Sequence, residues 1–189
     1  MSGVIDNGVL RVIASRSSTR DYMPDPVPRD AVEALETAAL EAPTSLDRQE
    51  QKFIFVTDPA LIREMEHDIA EKAREAGETD YLERLAMRDG KVFFGAPLVI
   101  VVSSRTENDY TAVDAGIAAQ TICLAAESMG LGSVIMAAPD RIFLGEEGGR
   151  WRSRLGMEPG WRFEISVAVG YPRTRKAPHT IDRRNIREI

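Results

Sequence analysis

The sequence has few of the residues and motifs on which metal sites and side-chain catalysis depend. It contains one cysteine, Cys123, which excludes an internal disulfide, a zinc site built from several cysteines and a CxxC redox pair. Its two histidines, His67 and His179, argue against a histidine-dependent triad and against a two-histidine metal site. Cys123 lies within an apolar helical pattern, which favours a place in the core over a nucleophilic role. We therefore expect no metal and no catalytic side chain, and an enzyme of this kind would take its chemistry from an organic cofactor.

Nucleotide-binding fingerprints and long apolar runs are also absent from the sequence. There is no Walker A, HExxH or GxSxG motif. The Gly130-Leu131-Gly132 segment does not continue as a dinucleotide-binding motif, because position 135 is isoleucine. No run approaches the roughly 20 apolar residues of a membrane span, and the first 16 residues lack the apolar centre of a signal peptide. From these patterns we expect a cytoplasmic protein that does not associate with a membrane.

The charge of the chain is unevenly distributed. The 189 residues are 43% hydrophobic and 29% charged, which predicts one globular domain over residues 1–189. The net charge of −6 argues against a nucleic-acid partner. Residues 11–20 nevertheless carry +3 and residues 173–189, the tail, carry +4, so the remainder carries −13. The two basic segments either bind one small anion together or are separate solvated stretches of surface.

The hydrophobic pattern predicts an α+β layer fold, because helices and strands are interspersed without strict alternation. Asp30 is the expected N-cap of the second helix, and Pro43 ends that helix. Residues 97–104 are apolar on both faces, which predicts a central strand. Helices are predicted over residues 5–14, 31–42, 59–76, 80–94, 109–130 and about 146–155, and strands over 52–58, 97–104, 130–137 and 161–172.

The predicted helix 109–130 is apolar nearly all round. Its polar residues, Asp114, Gln120, Thr121, Glu127 and Ser128, fall near one narrow stripe. In a domain of this size such a helix forms either the axis of the core or half of a subunit interface. We favour both roles at once.

The segment Arg16-Ser17-Ser18-Thr19-Arg20, the head loop, carries two arginines around three hydroxyls. Guanidinium groups form bidentate, charge-assisted bonds with phosphate, and hydroxyls can donate to its remaining oxygens. The segment therefore suits a phosphate monoester, although Ser/Arg loops are commonly only solvated.

Taken in order, these and several further segments resemble the nitroreductase family over almost the whole chain. The segments are residues 16–22, Pro26-Val27, residues 42–49 before a strand, Ala96-Pro97, the helix from Asp114 to Gln120, Gly130-Leu131-Gly132-Ser133 and residues 167–172. The resemblance implies an α+β nitroreductase-like fold, with a mostly antiparallel central sheet flanked by helices. It also implies an intertwined homodimer with FMN at each of two subunit interfaces.

The resemblance further implies which residues bind the cofactor. In the head loop, Arg16, Ser17, Ser18 and Arg20 match positions that contact the phosphate and the ribityl chain. Arg183 or Arg184 matches a C-terminal arginine at the same phosphate, which would explain the two basic segments. The ring loop, residues 43–49, would be donated by the partner subunit along the flavin ring through Pro43, Thr44, Ser45, Asp47 and Gln49. The edge segment, Ile135, Met136, Ala137 and Ala138, would pass the reactive edge of the ring and polarise it with backbone amides.

Four positions depart from the family pattern. Asparagine is common where this chain has Asp47, Pro-Trp where it has Glu50-Gln51, and a second arginine where it has Ser17. An ionised aspartate only accepts hydrogen bonds, and its charge disfavours an anionic reduced flavin. We expect Asp47 either to lower the flavin potential or to turn away from the ring. The chain is also short for the family, which leaves few residues for a substrate lid.

The function implied by the resemblance is that of an oxidoreductase with tightly bound FMN. A hydride would pass from NAD(P)H through the flavin to a nitroaromatic, quinone or similar small flat acceptor by a ping-pong mechanism. Two alternatives stay open at this point. One is a specialised dehydrogenase or flavin-modifying enzyme of the same fold, and the other is a flavin binder without turnover, suggested by Asp47, Glu50 and Gln51.

Overall fold

A four-stranded antiparallel sheet organises the molecule in the order β1-β2-β4-β3. The computed structural model describes residues 6–105, 109–145, 148–177 and 180–189. The strands are β1 (Gln51–Val56), β2 (Leu98–Arg105), β3 (Gly132–Met136) and β4 (Trp161–Gly170). All three strand pairings are antiparallel. The α+β architecture with an antiparallel central sheet is therefore confirmed.

The central position of β2 follows from its sequence. Its residues from Leu98 to Ser104 are all buried, as the two-sided apolar pattern predicts. Side chains such as Ile100 contribute to the hydrophobic cluster on one face of the sheet, and neighbours such as Val101 contribute to the cluster on the other. The pairing with β4 shifts register after Val102, where Glu164 is the extra residue of a bulge.

Helices cover both faces of the sheet. They are α1 (Gly8–Ser15), α2 (Arg29–Leu40), α3 (Pro59–Glu75), α4 (Thr79–Ala86), α5 (Thr111–Ser128) and α6 (Gly148–Arg154). Buried residues of α2 and α5 share one hydrophobic cluster with the sheet. Buried residues of α3, α4 and α6 form the second cluster on the opposite face. The long apolar helix α5 therefore lies along the core, as predicted.

Two predicted helix ends are wrong. Helix α2 begins at Arg29 after an extended Pro28, so Asp30 lies in the first turn and is not the N-cap. An acidic side chain there is stabilised by the helix dipole. Helix α4 ends at Ala86 and does not continue to residue 94. The chain beyond it has a positive φ at Asp89, Gly90, Phe94 and Gly95, which no α-helix accommodates.

Other boundaries agree more closely with the sequence pattern. Helix α1 is capped by Asn7, whose Oδ1 accepts a bond of 2.9 Å from the Leu10 amide. Residue 5 of that predicted helix and residues 146 and 147 of the last one lie outside the described residues. Gly130 ends α5 with φ +78°, and β3 follows two residues later.

The described residues contain neither a candidate membrane span nor a candidate metal cluster. None of the described helices is both long and apolar enough to cross a membrane. No group of three or more His, Cys, Asp or Glu side chains in the described ranges is placed to hold a metal ion.

Candidate functional site

The head loop lies between the start of β3 and the tail. Ser18 pairs with Ser133 in a parallel bridge, and the Thr19 amide donates to the Ser133 carbonyl at 2.9 Å. On the other side, the Ser17 hydroxyl donates to the Lys176 carbonyl at 3.3 Å. The fold thus brings part of the basic tail beside the basic head loop, although about 160 residues separate them in sequence.

Gly132 makes this close packing possible. A Cβ atom at position 132 would lie 2.4 Å from Thr19 Oγ1 and 2.9 Å from both Thr19 Cβ and Cγ2. Thr19 is itself buried. The absence of a side chain at Gly132 therefore sets how closely the head loop approaches β3.

Residues that follow the head loop fix it to the end of β4. Tyr22 is buried, pairs with Pro172, and donates its hydroxyl to the Ala168 carbonyl at 3.1 Å. Burial raises the pKa of the Tyr22 phenol well above its ordinary value, so the group stays a neutral donor. Arg173 adds a backbone bond of 3.0 Å to the Asp21 carbonyl and an ion pair of 3.3 Å with its carboxylate.

The cations around the head loop differ in their partners. Arg175 pairs with Glu127 at 3.0 Å and donates to the Gly130 carbonyl at 2.8 Å, so the end of α5 holds it. In contrast, no carboxylate of the described ranges lies within ion-pair distance of Arg16 or Arg20. Arg16 is half-buried and Arg20 is exposed. These two guanidinium groups are free to pair with a bound anion.

A cavity of about 630 Å³ opens beside Arg20. Its wall includes Arg88 and Lys91 from the segment that sequence analysis assigned to a helix. The Arg88 guanidinium lies 4.3 Å from the centre of the Phe94 ring, so it is stacked in place. Sequence reasoning missed this wall, although the Asp89-Gly90 pair is a turn signal that could have revealed it.

Glu66 on α3 holds the segment that forms this wall. Its Oε1 accepts a hydrogen bond of 2.8 Å from the Phe93 amide. Burial raises the pKa of Glu66, while the bond from Phe93 and the charges of Lys91 and Arg88 act in the opposite direction.

The ring loop has an unusual backbone. Leu46, Asp47 and Gln49 all have φ between +50° and +55°, and each left-handed residue costs roughly 1–2 kcal/mol. One hydrogen bond joins the loop to α5, and another lies within the loop. The Ser45 amide donates to Asp114 Oδ1 on α5 at 3.0 Å, and the Gln49 amide donates to Thr44 Oγ1 at 3.0 Å. Leu46, at 81% exposure, projects from the surface of the chain.

The predicted binding residues of the ring loop are all accessible. Pro43, Asp47 and Gln49 are exposed, and Thr44 and Ser45 are half-buried. The Asp47 carboxylate accepts a bond of 2.8 Å from the Gln49 side-chain amide. In this chain the carboxylate is therefore bonded within its own loop.

The edge segment continues from the far end of β3. Ile135 and Ala137 are exposed, while Met136 and Ala138 are half-buried. The Met136 carbonyl accepts a bond of 2.9 Å from Ser166, which is fully buried. Ser166 was not identified from the sequence, where it is one serine within a strand pattern.

Arg183 and Arg184 are exposed in a short 3₁₀ turn, Arg183–Asn185. Arg184 binds the Asp182 carboxylate through two contacts of 2.9 and 2.7 Å. No contact among the described residues joins either arginine to the head loop. The prediction that one of them reaches the phosphate stays a prediction.

Within one chain the ring loop and the head loop lie at different points of α5. The ring loop is fastened to Asp114, near the N-terminus of the helix. The head loop packs against Ser133 at the start of β3, the strand that follows the C-terminal end of the helix. Asp114 lies 14 positions before Ser128, the last residue of the helix, or about 21 Å along the axis. Within one chain, the ring loop is therefore anchored at the N-terminal end of the helix, and the head loop is anchored at the strand that follows its C-terminal end.

The strand order, the two helical layers and the head loop packed on β3 define the nitroreductase-like fold. Residues 13–171, which include the head loop, ring loop and edge segment, match the model of the Nitroreductase family. The chain belongs to the nitroreductase family, and the resemblance inferred from the sequence is confirmed.

Solved structures support the same assignment. A nitroreductase with bound FMN from Desulfitobacterium hafniense DCB-2 is 32% identical, with a TM-score of 0.92 over 98% of this chain and 100% of that chain. A putative NADH dehydrogenase/NAD(P)H nitroreductase from Parabacteroides distasonis is 28% identical, with a TM-score of 0.73 over 97% and 98% of the two chains. An iodotyrosine deiodinase bound to FMN and 3-iodo-L-tyrosine shares the fold at 21% identity and a TM-score of 0.73, over 95% and 97%.

Proposed function

We propose that residues 1–189 form a single FMN-binding domain and that the protein is an FMN-dependent oxidoreductase. It would pass a hydride from NAD(P)H to a nitroaromatic, quinone or similar flat acceptor in a ping-pong reaction. The observation that carries the proposal is the head loop, in which Arg16 and Arg20 lack carboxylate partners while the loop is fixed between β3 and the tail. Family membership and the FMN present in the Desulfitobacterium structure support it.

The residues of the head loop fit a phosphate dianion. Arg16 and Arg20 supply two positive charges, and the Ser18 hydroxyl supplies a neutral donor, while the Ser17 hydroxyl donates to the Lys176 carbonyl. Gly132 keeps the loop backbone against β3, so its groups are positioned before a ligand arrives. Where the family commonly has a second arginine, this chain has Ser17, whose hydroxyl would have to leave the Lys176 carbonyl to donate one neutral bond, and that bond is weaker than a charge-assisted one.

When bound, FMN would supply the hydride chemistry, and the chain would supply position and polarity. The edge segment exposes Ile135 and Ala137 on a strand end that Ser166 holds through the Met136 carbonyl. Its backbone amides can donate to a ring carbonyl or nitrogen. The hydride donor, NAD(P)H, and the hydride acceptor would occupy the same space in turn, which corresponds to a ping-pong reaction.

A homodimer with FMN at the subunit interface would bring the ring loop to the head loop of the opposite chain. The exposed face of α5 is apolar, with Val113 at 61% and Ile117 at 38% exposure. Helix α1 lies against α5 and has no buried residue, although Val9 and Ile13 are apolar. An isolated helix of eight residues is marginal in water, so a second subunit covering both helices would stabilise α1.

A specialised flavin enzyme of the same fold is the second candidate. The ring loop favours it, because Asp47 is bonded to Gln49 and does not present the amide common in the family. A protein that binds FMN but oxidises neither nicotinamide in the presence of nitroaromatics or quinones would select this candidate, or a flavin binder without turnover.

The test of the cofactor assignment compares wild type with Arg16→Ala/Arg20→Ala. We expect wild type to purify with FMN, seen in the visible absorbance spectrum, and the double variant to purify colourless. Arg11→Ala is the matched control, since Arg11 lies in the same basic segment but pairs with Asp6. Stoichiometric FMN in the double variant would remove the head loop from the site. NADH and NADPH oxidation with 4-nitrobenzoate and menadione then tests the reaction class.

The test of the dimer uses Ile117→Glu, which places a charge on the exposed face of α5. We expect this variant to sediment as a monomer and to lose FMN, because the site needs both chains. Met87→Glu is the control, since Met87 is 87% exposed at the end of α4. A monomeric wild type that retains FMN would contradict the shared site.

A further inference from the structure

Asp114 is a charged side chain in an unusual position. It lies in the first turn of α5, and the residue is only 5% exposed. Burial of a carboxylate is costly unless hydrogen bonds compensate for the lost water. The bond that it accepts from the Ser45 amide, at 3.0 Å, joins α5 to the ring loop.

The hydrogen bonds of the ring loop fall into two groups. Bonds within the loop, such as Gln49 amide to Thr44 Oγ1 and Asp47 amide to Thr44 carbonyl, determine its shape. The bond from Ser45 to Asp114 determines where the loop sits relative to the helix. Left-handed residues such as Leu46 persist only where the surrounding structure holds them.

We propose that Asp114 is a positioning residue of the flavin site, which fixes the ring loop at the point where it meets the flavin bound to the partner subunit. The inference rests on the proposed function. The exposed apolar residues Val113 and Ile117 lie on the same helix as Asp114. Helix α5 therefore places the subunit contact and the ring loop together, as one rigid element.

The first experiment compares Asp114→Ala with Asp114→Asn. The asparagine oxygen can accept the same bond from Ser45, whereas alanine leaves that amide without its acceptor. We expect Asp114→Ala to weaken FMN binding to the apoprotein about tenfold or more, the usual effect of losing a hydrogen bond to a charged group. We expect Asp114→Asn to stay within about threefold of wild type, given the retained acceptor.

The second experiment measures coupling within the ring loop. Thr44→Val removes the acceptor of the Gln49 amide, so it loosens the internal structure of the loop. If both residues act through one loop, the double variant with Asp114→Ala loses less affinity than the product of the two single losses. The control is Thr37→Val, because Thr37 bonds to Glu33 on the surface of α2. We expect the losses of FMN affinity in Thr37→Val and in Asp114→Ala to multiply independently in the double variant.

The variants are also compared by sedimentation and by the Tm of the apoprotein. A role in general stability alone would lower the Tm and leave the FMN Kd of the folded dimer unchanged. If Asp114→Ala does not fold, Ser45→Pro removes the donated N–H and leaves Asp114 in place. Thr44, at φ −123° and ψ 153°, already has the backbone that precedes proline.

Each result has a defined meaning. Wild-type FMN affinity in Asp114→Ala, or in Ser45→Pro if that variant is used, overturns the inference while the proposed function stands. An equal loss in Asp114→Asn and Asp114→Ala also overturns it, because charge and not position would then matter. A wild-type protein that takes up no FMN overturns the proposed function, and this inference with it.

Discussion

Replacing Gly132 with alanine places a methyl group where Thr19 already lies. The new carbon would be 2.4 Å from Thr19 Oγ1, and ordinary contact begins at 3.4 Å, so a shift of 1.0 Å is required. Rotation of the threonine does not relieve the clash, because its Cβ and Cγ2 both lie at 2.9 Å. The head loop must therefore move away from β3, which lengthens the 2.9 Å bond between Thr19 and Ser133.

The cost of this substitution has two parts. Overpacking of a buried site costs about 1–3 kcal/mol. For a chain of this length that lowers the Tm by about 2–12 °C. On the proposed function, the displacement also moves Arg16 and Arg20 relative to the phosphate that they would share, so we expect FMN affinity to fall by more than the change in stability explains.

The assay measures the Tm of the apoprotein and the FMN Kd for Gly132→Ala, Thr19→Ala and the double variant. Removing Oγ1 and Cγ2 from Thr19 makes room for the methyl group, so the double variant recovers part of both losses. Gly8→Ala is the control, because a Cβ there meets nothing within 4 Å. Wild-type Tm and Kd in Gly132→Ala, or no recovery in the double variant, would refute the packing argument.

Three further predictions concern stability. Burial raises the pKa of Glu66 in the folded state above the ordinary 4.5, so the stability that this group contributes is fully present below pH 4.5 and is lost as pH rises through the folded pKa. Urea unfolding from pH 4 to 8 should therefore show wild type losing stability relative to Glu66→Gln. Parallel stability curves for the two proteins would contradict this. Tyr22→Phe removes the bond to Ala168 and should cost about 0.5–1.5 kcal/mol by the same measurement, with no change in the pH dependence. Phe163→Ala removes a buried ring stacked on Phe143 and should cost about 3–5 kcal/mol; less than 1 kcal/mol would show that this face of the core collapses around the gap.

Local pattern was enough to predict the parts of the fold that have a local cause. Strand β2 is apolar on both faces, and the structure buries it in the centre of the sheet. Gly130 ends α5 because it adopts φ +78°, a role that its position after the apolar run already indicated. The end of α4 was missed because the charged residues 80–91 resemble a solvated helix face, whereas Asp89-Gly90 forces a turn.

The sequence indicated which types of residue form the candidate site, but it did not indicate which of them contact each other. Arginines and hydroxyls in the head loop indicated anion binding, and the loop does lie beside the tail. The hydrogen bond from Ser45 to Asp114 could not be predicted from the sequence, because the two residues are 69 positions apart. The residue pattern of α5 alone does not indicate which group binds its carboxylate. Arg88 and Lys91 were missed for the same reason, since the cavity that they line exists only after folding.

The attachment of the head loop also dictates an order of events during biosynthesis. Residues 17–22 dock on Ser133, Ala168, Pro172 and Lys176, so the head loop cannot be fixed until segments more than 100 residues further along the chain have been made. Ribosome-bound chains stalled before residue 168 should therefore retain no flavin, which can be measured on purified nascent complexes. On the proposed function, the head loop can therefore take up FMN only after β4 and Lys176 have been synthesised.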